Sequence, residues 1–328
     1  MRFLLDAEQT AFGRTLDRMF AGADTPSAVR AWSRGEHGPG LALWRRAAGA
    51  GVFTLAVPVE YGGAGLLPVE TAVAFVELGR HAVPGPLAET VAASVLLARL
   101  AERGTTGPAG TWLPRVCAGE AVLTLAPPGD GAYALDADAA DGVLVAHGGE
   151  LRLAAAHGPV RASLDPARRL ARPAPGGTPL ATGPGVAAAV AHAADWAALA
   201  TAAQALGVGH ALLDRTVAYA RQRVQFGVPV GSFQAVKHRL ADVLVGLEFA
   251  RPLLWGAAVA LAGGAADAPA DVACARTAAG NAAYAAARSA LQVHGAIGYT
   301  AEYDLSLWLG KARALRAAWA GPAPVPLP

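Results

Sequence analysis

The sequence predicts an α+β protein that is mostly α: an N-terminal helical domain, a small middle β domain and a C-terminal four-helix bundle. Three observations carry this. Hydrophobic residues make up 54% of the 328 positions and charged residues only 16%, which is enough apolar side chain to bury a large core and leave some for subunit contact. Apolar spacing is helical at both ends of the chain and shortens to strand-like runs in between. Glycine and proline gather where the period changes, above all at Gly183-Pro184-Gly185. The domains are accordingly placed at 1–118, 119–190 (a shortened β domain) and 191–328.

In the first domain, Phe12, Leu16 and Phe20 recur on one side of a helix over 6–20. A second helix over 40–50 stops at Gly49 and Gly51. The stretch "GVFTLAVPVEYGGAGLLPVET" cannot be one helix, because Pro58 and Tyr61-Gly62-Gly63-Ala64-Gly65 interrupt it; Pro68-Val69-Glu70 opens the next. Helices over 69–81 and 87–103 follow, parted by Val83-Pro84-Gly85-Pro86. In the middle domain "AVLTLAPPGDG" and "GVLVAHGGELRLAAA" are short apolar runs, the second folded about a Gly148-Gly149 turn. The last domain reads as helices over 195–225, 234–262, 268–294 and 303–320, whose short connections fit an antiparallel bundle. The final "GPAPVPLP" cannot be regular helix.

Several functional classes are set aside by composition. Net charge is +2 and the 27 basic residues are scattered, so nucleic acid is not an expected partner. The opening "MRFLLD" lacks the apolar core of a signal peptide, and the most apolar segments are Ala-rich and broken by polar residues, so no membrane span is expected. Cys117 and Cys274 make neither a disulfide framework nor a zinc site. His210, His238 and His294 lack a ligand spacing, so no metal is expected. A cytoplasmic protein fits these features.

Three motifs remain: "VPVEYGGAG" at 57–65, "RQRVQFGVPVGSFQAVKHRLAD" at 221–242 and "ALQVHGAIGYTAEYDLSLWLGKAR" at 290–313. Their order and separation resemble the acyl-CoA dehydrogenase family over nearly the whole chain. The resemblance implies that the second motif crosses a subunit interface and holds the adenosine diphosphate half of a neighbour's FAD. Arg223 would bind phosphate, with Gln225 and Phe226 beside it and Phe233 near the adenine. Gln292 and Gly295 match a second clamp on the same dinucleotide. An arginine suits the task because its rigid fork meets two phosphate oxygens at once. A plainer role also exists for Arg223, since an arginine ending a helix can serve its last carbonyls.

The family's catalytic parts find no match. The reaction removes an α-proton from an acyl thioester while hydride leaves the β-carbon, so it needs a carboxylate base. One family base position falls here on Trp319 or Ala320 and the other on Ala197; none is a carboxylate. Asp195 is read as the N-cap of a helix, and Glu302 and Asp304 as favourable charge at the start of the last one. The strand that meets the flavin ring in relatives reads "LTLAPPGDGAYAL", with Thr124 out of register. The chain thus keeps the half of the FAD site it would lend and lacks the half it would use. It resembles the non-catalytic, β-type subunit of actinobacterial α2β2 acyl-CoA dehydrogenases of sterol or other lipid catabolism. That implies a catalytic partner binding most of the acyl-CoA, and an electron-transfer flavoprotein or similar acceptor. A self-sufficient enzyme with a displaced base, such as Asp195 or Glu302, is the alternative. A flavin-free acyl-thioester binding or scaffold protein on the same fold is another.

Overall fold

The computed structural model describes residues 4–129 and 131–320. The first three residues and the "GPAPVPLP" tail lie outside the described residues. The expected three-part architecture is present, with ten helices among the described residues.

The N-terminal domain runs α1 (Ala7–Ala21), α2 (Thr25–Ser33), α3 (Gly38–Gly49), a short antiparallel pair β1 (Ala56–Val57) and β2 (Gly65–Leu66), then α4 (Pro68–Arg80), α5 (Leu87–Ala101) and α6 (Thr106–Cys117). A capping box starts α1: Asp6 accepts from the Gln9 N–H, and the Gln9 side chain accepts from the Asp6 N–H. The Gly-rich run between β1 and β2 is a tight turn, where a side chain at Gly63 would strike the Val57 carbonyl. Two helices, α2 and α6, were not expected from sequence. α6 contains Gly107, Gly110 and Pro114, which read locally as loop. Burial of Trp32 on α2, and of Leu113 and Val116 on α6, overrides that weak propensity.

The middle domain is a four-stranded sheet in the order β3 (Leu123–Leu125), β5 (Gly142–His147), β6 (Glu150–Leu153), β8 (Thr178–Thr182), with β4 (Ala134–Leu135) and β7 (Leu170–Ala171) paired separately. Only β3 and β5 run parallel within it. The Gly148-Gly149 turn joins β5 to β6 with both glycines at positive φ, as a two-residue hairpin requires.

The C-terminal domain comprises α7 (Pro184–Gln222), the hairpin β9 (Val224–Gln225) and β10 (Val228–Pro229), α8 (Gln234–Ala262), α9 (Ala268–His294), a 3₁₀ turn over Gly295–Tyr299, and α10 (Leu305–Ala317). α7 begins at Pro184 and not near residue 195, so the helical domain starts ahead of the expected boundary at 191. Pro184 sits in the first turn, where its missing N–H costs nothing. Gly79 on α4 and Gly207 on α7 let those helices touch backbone to backbone, since a Cβ at either would overlap a carbonyl opposite.

By length and composition alone α7 and α8 could each cross a bilayer, with mean hydropathies of 1.3 and 1.5 over their most apolar windows, against the expectation of no such segment. In the fold, 67% of that window is buried for α7 but only 39% for α8. The difference arises because Leu244, Val245, Phe249 and Leu253 of α8 point outward.

Candidate functional site

The six residues expected to clamp a dinucleotide fall into two groups. Arg223, Gln225, Phe226 and Phe233 form or flank the hairpin that follows α7. The helix ends at Gln222, and Arg223 is already extended, its N–H donating to the Tyr219 carbonyl. Its guanidinium makes no hydrogen bond or ion pair among the described residues, so it does not serve the helix carbonyls. Gln225 donates from Nε2 to the Val224 carbonyl at 2.8 Å. Phe226 has φ +54 and Gly227 φ +80, so the two-residue turn places a bulky residue in the left-handed region. That conformation costs on the order of 1 kcal/mol. It holds the Phe226 ring 93% exposed, edge-on to Phe233 at 6.2 Å. A strained turn presenting a bare phenyl ring is suited to being covered by another surface.

Gln292 and Gly295 form the second group. They line a groove of about 620 Å³ between α8 and α9, with Arg239, Arg288 and Tyr299 on its walls. Gly295 has φ +65, and a Cβ there would point into open space. The two arginines were missed in the sequence, although Arg288 stands one helical turn before Gln292. Around both groups Val224, Leu291, Ile297 and Tyr299 leave apolar surface exposed.

The expected base positions lie in a different environment. Ala197 is fully buried in the core. Trp319, just past α10, adopts φ +50, and its indole Nε1 donates to Glu89 Oε1 at 3.1 Å. Glu89, on α5 and only 3% exposed, also faces the Arg168 guanidinium at 3.5 Å. A carboxylate does therefore reach this place, from an element the motif gave no reason to inspect, but it is committed to Trp319 and Arg168. Trp319 walls off two small cavities. One of about 360 Å³ holds Glu89, Tyr133 and Arg168; the other, about 170 Å³, holds Asp195, Arg276 and Ala320.

Asp195 requires a correction. Because α7 starts at Pro184, Asp195 lies inside the helix and caps nothing. It also lines the same cavity as Trp319. Burial pushes its carboxyl up to about 6. Glu302 lines a separate groove with Arg215 and Tyr219, away from Trp319. Asp304 precedes α10 without a side-chain capping bond and pairs with Arg30 at 2.7 Å. On the expected ring strand Thr124 is fully buried and its hydroxyl lacks a hydrogen-bond partner in the structure, so that hydroxyl is closed to a ligand. Of the expected residues, those of the adenosine side are exposed or line an open groove, whereas Thr124 on the ring side is buried.

Asp17, Glu77 and His81 place potential ligand atoms within 4.8 Å of one another. His81 Nε2 meets Asp17 at 2.8 Å, and Arg80 already brings positive charge to Glu77 at 3.3 Å. Burial raises the Glu77 carboxyl to about 7.

Comparison with known proteins bears on this geometry. Residues 6–120 match the model of the acyl-CoA dehydrogenase N-terminal domain and residues 183–324 that of the C-terminal domain. Acyl-CoA dehydrogenase IpdE2 of Mycobacterium tuberculosis is 37% identical over 93% of this chain and 91% of its own. Among solved structures, the Tcur3481–Tcur3483 steroid ACAD superposes with a TM-score of 0.82 at 28% identity, covering 96% of this chain and 94% of that one. The ChsE4–ChsE5 complex of Mycobacterium tuberculosis gives 0.77 at 25% identity, covering 98% and 95%.

Proposed function

Because the chain belongs to the acyl-CoA dehydrogenase family, we propose that it is the non-catalytic subunit of a heteromeric, FAD-dependent acyl-CoA dehydrogenase. At family level the reaction is oxidation of a CH–CH bond in an acyl thioester. Bound FAD would supply the hydride acceptor. This chain would contribute Arg223, Gln225, Phe226, Phe233, Gln292 and Gly295 to the adenosine diphosphate half of a dinucleotide seated mainly in the partner. The partner would supply the carboxylate base, the ring site and most of the acyl pocket, in a cytoplasmic α2β2 assembly reoxidised by an electron-transfer flavoprotein. The similarity to a steroid ACAD supports a bulky sterol-derived thioester as the substrate class.

One observation carries this reading. Trp319, at a position where the resemblance expects a base, is hydrogen-bonded to a buried glutamate, while the Arg223 guanidinium has no partner among the described residues. The test is co-expression with a catalytic subunit, scored by the mass of the assembly and its flavin content. One flavin per pair of unlike chains is expected. A flavin in every chain, or none in the complex, would overturn the proposal.

A second reading is favoured by Asp195, whose carboxyl at about 6 lies within the Trp319 cavity. As a displaced base it would act ionised, so turnover by the chain alone would rise with pH through about 6 and vanish in Asp195→Asn. Absence of any turnover by the isolated chain removes this reading.

A further inference from the structure

The groove beside Gln292 has more positive charge than the motif residues provide. Arg288 reaches it from α9 and Arg239 from α8, whereas Arg223 stands on the separate hairpin and is not among its walls. Neither groove guanidinium has an ion-pair or hydrogen-bond partner among the described residues. Arg34, Arg99 and Arg251 each pair with a neighbouring glutamate, whereas other exposed arginines, such as Arg45 and Arg46, also lack a side-chain partner among the described residues; what sets Arg239 and Arg288 apart is that both line one groove. Asp242 lies three residues beyond Arg239 on α8, within reach of a side-chain pair, yet no such pair forms among the described residues.

Two unpaired guanidiniums facing one groove repel each other, and a dianion between them converts that repulsion into charge-assisted hydrogen bonds. The Gln292 side chain adds a neutral donor. The largely exposed Tyr299 ring offers a flat apolar surface for a base or ribose. At about 620 Å³ the groove is of a size to take a nucleotide. We propose that Arg239 and Arg288 form a second anion anchor that holds the phosphates of an adenosine diphosphate group, so that Arg223 is not the sole phosphate ligand of this face. The assignment rests on the reading that the face takes the adenosine half of a flavin dinucleotide.

The test compares ADP with adenosine, each titrated calorimetrically into the full chain, for wild type and the double variant Arg239→Gln/Arg288→Gln. Both side chains are exposed, so an unchanged circular dichroism spectrum controls for folding. Wild type is expected to prefer ADP by at least about tenfold, the scale of one or two charge-assisted hydrogen bonds, and the double variant to lose that preference. A preference that survives the double substitution overturns the anchor. So does a wild-type chain that binds neither ligand or does not distinguish them. The underlying reading is judged separately, by flavin in the co-expressed complex: a yellow complex together with a double variant that keeps the ADP preference rejects the anchor alone, and a complex without flavin rejects the reading.

Discussion

The hairpin after α7 and the turn after α10 carry comparable chemistry but opposite boundary conditions. At the hairpin, Phe226 is held bare in a left-handed turn and Arg223 has no side-chain partner among the described residues. At the other turn, Trp319 also sits in the left-handed region, but its indole bonds a buried carboxylate that is itself paired with Arg168. One strained turn presents its groups outward, while the other ties them down. The contrast teaches that similar backbone strain can serve opposite ends: beside Trp319 it braces a wall between two cavities, while at the hairpin it leaves apolar surface open.

The comparison is broken most severely by Glu89→Ala. Removing that carboxylate leaves the Trp319 N–H and the Arg168 charge uncompensated, with an expected loss of about 3–5 kcal/mol in chemical denaturation; a loss under about 1 kcal/mol would show the brace to be unimportant. On the open side, Arg223→Ala should weaken flavin retention by the assembled complex by roughly 10–100-fold, the scale of a bidentate arginine–phosphate contact, with no change in the helical content of the free chain. Equal flavin occupancy would reject the assignment. Phe249→Asp, at a side chain 72% exposed on α8, should leave the stability of the free chain within about 0.5 kcal/mol yet abolish assembly with a partner, as seen by size-exclusion chromatography.

Asp195→Asn is expected to act in the opposite sense. The folded carboxyl is raised, so folding disfavours its ionised form, and the resulting destabilisation develops as pH rises from about 4 through about 6. The asparagine variant should gain about 1–2 kcal/mol at neutral pH and flatten the stability profile across that window. The smallest expected effect is on activity. Trp319→Glu should give no turnover, because the hydroxyl expected on the ring strand, that of Thr124, is buried.

These residues also show what can be read locally. The break after α7 was legible because Phe226-Gly227 interrupts a helical pattern, and the Gly148-Gly149 turn because it parts two strand-like runs; the hairpin form of the break was not, since the helix was expected to reach 225 and ends at Gln222. The start of α7 was not, since Gly183-Pro184-Gly185 reads as an ending when Pro184 is in fact the first residue of the helix. That error made Asp195 look like a cap. α6 was hidden by its own glycines and proline, whose cost is offset by burial that only the tertiary fold supplies. Glu89 could not be found from spacing at all, because its partner Trp319 lies 230 residues away in the chain.

The central claim is that the chain lends a cofactor surface and lacks a ring site of its own. Its most direct test is the visible absorption spectrum of the purified chain, recorded alone and then after co-expression with a catalytic acyl-CoA dehydrogenase subunit. The account predicts a colourless chain and a yellow, stoichiometric complex bleached by an acyl-CoA. A full flavin spectrum from the chain alone, bleached by an acyl-CoA without any partner, would contradict it.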